Sequence, residues 1–168
     1  MFREMRRKKQ ELSRADSEAL LQKGQCGVLA LSGDEGYPYA VPISYVFADG
    51  KLYFHSALTG HKIDAVRAND KASFCVIDQN ELHPESFTTY FRSVIAFGRA
   101  RILEDDGEKR AALMRIAEKY GSEGDAEGRQ KEVDITLARA CLMELTIEHL
   151  TGKQAVELAK RAQNGHNA

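Results

Sequence analysis

Tyr53-Phe54-His55-Ser56-Ala57-Leu58-Thr59-Gly60-His61-Lys62 is the stretch that decides how this chain is read. Its first residues have the aromatic character of a strand, Gly60 punctuates a turn, and His61-Lys62 opens a helical pattern continued by Ile63 and Val66. A strand end presenting His55 and Ser56, followed by a helix start that carries a cation, suits a phosphorylated ligand. The first N–H groups of a helix have no internal partner, the helix dipole is positive there, and Lys62 adds charge. An ordinary strand–turn–helix with a polar surface would use the same residues, so local chemistry leaves both readings open.

Upstream, Asp49-Gly50 predicts a tight hairpin between the β-rich run Tyr39–Phe47 and Lys51–His55. Pro38 and Pro42 cannot donate to a ladder and place their strand at an edge, a bulge or a strand start. Cys26–Leu31 is a compact apolar strand ending in the Ser32–Gly36 turn. Before it, Ser13 caps a helix with Asp16 in its first turn and Leu12 as a packing staple; Gly24 is expected to close that helix in a left-handed C-cap. The basic residues Arg6–Lys9 fall in an expected solvated arm, residues 1–12.

Downstream, Lys62–Arg67 reads as a short helix, Ala72–Ile77 as a strand and Asp78–Glu85 as a polar loop. Phe87–Leu103 is longer than a usual strand, with Gly98 the natural place for a bulge. Asp106–Tyr120 has a helical apolar stripe, Gly121–Gly128 reads as a mobile or functional loop, and Cys141–Ile147 as the last strand. A helix over Gly152–Arg161 and a frayed tail at 162–168 complete one domain spanning 1–168. About six strands with short helices suggest a small barrel, although periodicity does not separate a closed barrel from a sheet covered by helices.

The chain has 168 residues, with 24 Lys and Arg against 25 Asp and Glu and a formal net charge of -1, which argues against a dedicated nucleic-acid-binding protein. No apolar run reaches membrane-spanning length and the start is polar, so a cytoplasmic protein with no membrane partner is expected. Cys26, Cys75 and Cys141 sit singly in apolar runs, which predicts neither a disulfide framework nor a metal site.

Three runs together carry a resemblance: Gly36-Tyr37-Pro38-Tyr39-Ala40-Val41-Pro42-Ile43-Ser44-Tyr45, the stretch Tyr53–Lys62, and Tyr90-Phe91-Arg92-Ser93-Val94-Ile95-Ala96-Phe97-Gly98-Arg99-Ala100. From about Cys26 to Ile147 the chain resembles the pyridoxamine 5'-phosphate oxidase-like, FMN-binding split-barrel superfamily, in particular its nitroimidazole-resistance branch of small flavoproteins. The resemblance implies a mainly β fold with peripheral helices, a six-stranded antiparallel split barrel, and a homodimer with FMN at the subunit interface. Pro42, Ile43 and Ser44 match the strand that lines the isoalloxazine. Phe54, His55 and Ser56 match the strand end beside the flavin and its ribityl chain. His61 and Lys62 match the phosphate end, with Arg92 or Ser93 a further contact.

On this resemblance the expected activity is an FMN-dependent oxidoreductase passing electrons from a nicotinamide to a small acceptor, a nitroaromatic being one candidate. His55 is the side chain to test as a proton donor, because an imidazole titrates near neutral pH. Three rival readings stay open. One is a flavin or haem protein that senses or stores without turnover, with His55, His61 or His83 as a haem ligand. Another is a pyridoxamine phosphate oxidase-like enzyme, for which a second cationic phosphate site is not evident. The last is a structural dimer whose His-Lys turn has no ligand.

Overall fold

The computed structural model describes residues 1–122 and 124–165, with 161–165 as backbone only. Helix α1 (Arg14–Lys23) precedes strands β1 (Cys26–Ser32), β2 (Pro38–Ser44), β3 (Val46–Ala48) and β4 (Lys51–Ala57). Helix α2 (His61–Ala68) leads into β5 (Lys71–His83) and β6 (Thr88–Ile102). Helices α3 (Asp106–Tyr120) and α4 (Ala126–Leu137), strand β7 (Ala140–Gln154) and helix α5 (Val156–Gly165) follow.

All pairings are antiparallel, and the strands form one seven-stranded sheet in the order β2-β1-β5-β6-β7-β4-β3. This corrects the six-stranded split barrel expected from the sequence: the sheet is open, and its edge strands β2 and β3 share no ladder. The two edges are nevertheless consecutive in the chain, joined by Tyr45 alone. Pro42, inside β2, and Pro38, its first residue, are tolerated because β2 is an edge strand. The fold is mixed, with the helices packed around the sheet instead of a barrel closing on itself.

Alternation along each strand divides the interior in two. Leu52 and Phe54 of β4 join the main core with Leu29, Phe74, Val94 and Leu145, and Tyr39, Val41 and Ile43 of β2 pack against it. Tyr53, on the other face of β4, belongs to a second cluster with Leu103, Leu142 and residues of α3 and α4, including Leu113, Ile116 and Val133. The main core contains edge-to-face contacts of Phe74 with Tyr45 and Phe54, at centroid separations of 4.7 and 5.2 Å.

Several local expectations hold. Ser13 Oγ accepts from the Asp16 N–H at 3.0 Å, the Asp49-Gly50 hairpin has positive φ at both residues (53° and 73°), and the register slips between Phe97 and Gly98. A Cβ on Gly98 would overlap the Thr146 carbonyl oxygen, which explains the bulge glycine. Other expectations fail. Gly24 is extended (φ -64°), not left-handed; a Cβ there would stand 2.5 Å from Tyr45 Oη, so close packing is the reason for this glycine. The supposed loop Asp78–Glu85 is strand as far as His83, because its polar residues pair with Thr88–Arg92. Helix α4 replaces most of the later half of the supposed loop Gly121–Gly128, while residue 123 lies outside the described residues. The last strand runs on to Gln154, so the C-terminal helix starts at Val156, and residues 166–168 of the expected tail lie outside the described residues.

In the first twelve residues, the Phe2 ring stacks on His149 (4.6 Å, 6°), Gln10 is buried, and Leu12 N–H donates to Gly152 O at 2.9 Å. Among the described residues no helix is long and apolar enough to cross a membrane.

Candidate functional site

The end of β4 and the start of α2 hold the residues singled out from the sequence, and β4 sorts them by face. Phe54 points into the main core, 1% exposed, so it acts as a wall and not as a donor. Ser56 lies on the same face, beyond the core, where Lys62 Nζ donates to its Oγ at 2.6 Å. His55 emerges on the opposite face, toward α3 and α4.

The turn before α2 leaves open space and an uncapped helix start. Gly60 has φ 133°, a conformation that disfavours any Cβ-bearing residue, and no atom stands within 4 Å of where its Cβ would be. No side chain caps the helix, while Gly60 O accepts from Ile63 N–H (2.9 Å) and Asp64 N–H (3.2 Å). The N–H groups of His61 and Lys62, being the first in the helix, have no intrahelical acceptor. The His61 ring stacks on Tyr39 (4.0 Å, 21°), and its Nε2 lies 3.6 Å from Asp34 Oδ2. Tyr39 and Asp34 thereby fix this imidazole; sequence reading passed them over because the contact joins segments far apart in the chain.

On the other face, Tyr120 closes the end of α3 against the Tyr45 junction. Its hydroxyl accepts from Tyr45 N–H at 3.1 Å and lies 2.7 Å from Tyr45 O and 2.6 Å from Gln25 O. Lys119 Nζ donates to Tyr45 O at 3.1 Å and to Gly24 O, and sits 4.4 Å over the Tyr45 ring. Burial lowers the Lys119 pKa and raises that of the Tyr120 phenol, the latter opposed by hydrogen bonding to the Tyr45 backbone. Ser44 is exposed at the end of β2 beside Tyr120; Pro42 is exposed two residues earlier, and Ile43 turns inward against the core. A cavity of about 350 Å³ opens between His55, Tyr120 and the α3–α4 pair.

Arg92 and Ser93 stand apart from both groups. His55 pairs with Leu142 of β7, whereas Arg92 pairs with Gln154, up to about 40 Å further along the same extended strand. Arg92 reaches Gln154 Oε1 at 3.5 Å and Asp78 Oδ2 at 3.8 Å, and its Nε is buried without a hydrogen-bond partner. Ser93 is half-buried, paired with Ile77 and Lys153. His83 is occupied elsewhere: its Nδ1 is 2.9 Å from Glu85 Oε1 and its ring stacks on Tyr90. Among the described residues no three His, Cys, Asp or Glu side chains cluster as a metal site would need.

The residues at the α2 start fit a flavin phosphate: a lysine held by a serine, free helix N–H groups and an unobstructed glycine. Solved structures share the fold. Over a similar extent, a candidate 5-nitroimidazole antibiotic resistance protein from Bacteroides thetaiotaomicron superposes with a TM-score of 0.71 at 21% identity, covering 86% of each chain. A FAD-binding protein from Mesorhizobium loti gives 0.61 at 25% identity over 86% of this chain and 96% of its own. The FAD and heme binding protein from Mycobacterium smegmatis gives 0.65 at 20% identity over 88% and 73%. No curated protein matches the sequence. The family described as pyridoxamine 5'-phosphate oxidase matches residues 13–154, nearly the whole folded chain, and this protein therefore belongs to the pyridoxamine 5'-phosphate oxidase-like superfamily of flavin-binding proteins.

Proposed function

We propose that this protein is an FMN-dependent oxidoreductase that passes electrons from a reduced nicotinamide to a small acceptor, with a nitroaromatic as the candidate acceptor class. The observation that carries the reading is the Lys62–Ser56 pair at an uncapped helix start, which supplies one cation, one hydroxyl and free N–H groups to a phosphate. When bound, the flavin supplies the two-electron chemistry. This chain's residues bind and orient it: Ser56, His61 and Lys62 at the phosphate, and the exposed Pro42 and Ser44 along its body, with Ile43 and Phe54 supporting them from the core. His55, with no side-chain hydrogen bond or ion pair among the described residues, is left to hold or give a proton at its ring nitrogens, facing the α3–α4 cavity.

Arg92 and Ser93 lie too far along the sheet to serve the same phosphate in one subunit. In the proposed homodimer they would instead serve a flavin seated on the second copy. The buried, unpartnered Arg92 Nε is consistent with a group awaiting that contact.

The absorbance spectrum of freshly purified protein, followed by release and chromatography of any chromophore, tests the reading. FMN bleached by NADH or NADPH and reoxidised by a nitro compound supports it. FAD, or a yellow protein inert to both nicotinamides, replaces it with another cofactor or with non-catalytic binding. Turnover of pyridoxamine phosphate would place the protein with the oxidases.

A further inference from the structure

Helix α2 is held against the β1–β2 turn at both ends. At its start the His61 ring stacks on Tyr39 of β2, and just past its end Asn69 Nδ2 donates to Ser32 Oγ at 3.0 Å. The turn runs beside the imidazole, since a Cβ on Gly33 would stand 3.6 Å from His61 Cε1. Tyr39 fixes the plane of the ring, and Asp34 Oδ2, 3.6 Å from Nε2, marks which nitrogen faces the turn. Nδ1 has no hydrogen bond among the described residues, and the side chain is 40% exposed, so a ligand can reach it.

That orientation makes any use of Nδ1 depend on a proton. A neutral imidazole carries one N–H, and a carboxylate beside Nε2 keeps it there. Nδ1 then presents a lone pair, which repels a phosphate oxygen. Only the protonated ring offers an N–H at both nitrogens, with a positive charge that strengthens the second bond. The surroundings give that charge weight. In the first turn of α2, Lys62 is a fixed cation and Asp64 an anion; Asp34 and Glu35 in the β1–β2 turn are acidic, and Tyr39 brings an uncharged ring. A phosphate monoester bears close to two negative charges above about pH 6, more than Lys62 alone offsets.

We infer that His61 is a proton-gated ligand for a phosphate monoester, with Asp34 and Tyr39 as its positioning residues. The ring binds the terminal phosphate when protonated and withdraws when neutral. Cofactor retention is then coupled to pH, and by linkage the bound phosphate holds a proton on the ring. The sign identifies the source. The phosphate itself gains negative charge as pH rises, which alone would strengthen its attraction to Lys62, so an affinity that falls with rising pH has to come from a protein group. The inference deepens the proposed function and rests on it for the phosphate at the start of α2.

FMN and riboflavin share the ring and ribityl chain and differ by the phosphate. Both are titrated by fluorescence into cofactor-free protein at constant ionic strength, from about pH 6.5 to about pH 8.5, the range in which imidazoles lose their charge. The ratio of the two affinities isolates the phosphate end, because any effect of His55 on the ring appears in both. It should fall about tenfold across this range, the weight of one charge-assisted hydrogen bond. His61→Asn should hold the ratio flat near its high-pH level. Asp34→Asn should shrink the fall to less than about threefold, because the neutral ring can then carry its proton on Nδ1. Both variants are first checked for native circular dichroism. NMR of the His61 ring in the unsubstituted chain keeps the test independent of them: FMN should move its titration to higher pH, and riboflavin should leave it in place.

A ratio that favours FMN but does not change with pH, or a pH dependence that survives His61→Asn, overturns the role of His61 and leaves the flavin reading intact. FMN bound no more tightly than riboflavin at every pH removes the phosphate from α2, and the inference with it. A protein that binds neither compound refutes the flavin reading itself, and this inference falls with that reading.

Discussion

Lys62 Nζ donates to Ser56 Oγ across 2.6 Å, tying the first turn of α2 to the last residues of β4. The pair holds a flexible cation in place before any ligand arrives, which reduces the entropy lost when an anion binds. Lys62→Met should weaken flavin binding by roughly ten- to a hundredfold, the effect of losing a charge-assisted hydrogen bond, with Ser56→Ala costing less. Both positions lie outside the core, so thermal stability should move little. Fluorescence titration of flavin into the cofactor-free variants measures the affinity.

His55→Asn separates a chemical role from a binding role. The side chain sits on the face of β4 opposite Ser56 and Lys62, so flavin retention should change by less than about threefold. Turnover of a nicotinamide–acceptor pair should fall by about 10²–10⁴-fold if the imidazole delivers the proton. Equal losses in both measurements would assign His55 to binding.

Gly98→Ala should be among the most destabilising single changes available in this sheet. The added methyl group would occupy the position of the Thr146 carbonyl oxygen, and backbone on both strands would have to move. A loss of about 3 kcal/mol or more, or failure to fold, is expected from urea melts. Gly50→Ala meets open space but a φ of 73°, and should lose only about 1 kcal/mol.

Glu144 gives a pH dependence of known sign. Burial pushes its carboxyl up, but hydrogen bonds from Arg101 (3.1 Å) and Lys51 (3.1 Å) outweigh this and hold it below its ordinary value of 4.5. The folded state therefore binds fewer protons than the unfolded state just below pH 4.5. The stabilisation is complete above that pH and is lost as pH falls through the folded value. Glu144→Gln should flatten the stability profile in this window, as read from chemical melts at a series of pH values.

Tyr120→Phe removes the hydroxyl shared by Tyr45 and Gln25. The change should cost about 1–2 kcal/mol and loosen the end of α3, because the Tyr45 N–H loses its shorter bond and keeps only Gln25 O at 3.4 Å. Hydrogen exchange at the Tyr45 amide measures this directly.

Short-range chemistry was legible in the sequence. The Ser13 cap, the Asp49-Gly50 turn and the helix beginning near Lys62 each depend on residues within a few positions, and Gly98 marked its bulge by residue type alone although its cause, the Thr146 carbonyl, lies far along the chain. The openness of the sheet was not, because whether β2 pairs with β3 depends on the bend at Tyr45, which is fixed by Tyr120 and Lys119 some 75 residues away. Helix α4 was missed for a related reason: Gly128 inside it reads as a loop residue, and only Val133 among its residues is fully buried. Of the site, the cluster around Ser56 and Lys62 was legible as a motif. The sequence could not tell that His55 faces the other way, toward Arg129 and the α3–α4 cavity, since strand alternation assigns faces only once the packing of Phe54 is known.

The pairing of β4 with β7 has a consequence for how the protein is made. Ala57 meets Ala140 and Lys51 meets Thr146, so the strand that carries Ser56 gains its second neighbour only from residues synthesised more than eighty positions later. Contacts so distant in sequence form slowly and late. The Ser56–Lys62 pair therefore cannot be held rigid until β7 has been synthesised, and a flavin bound there would select chains in which two distant strands have already met.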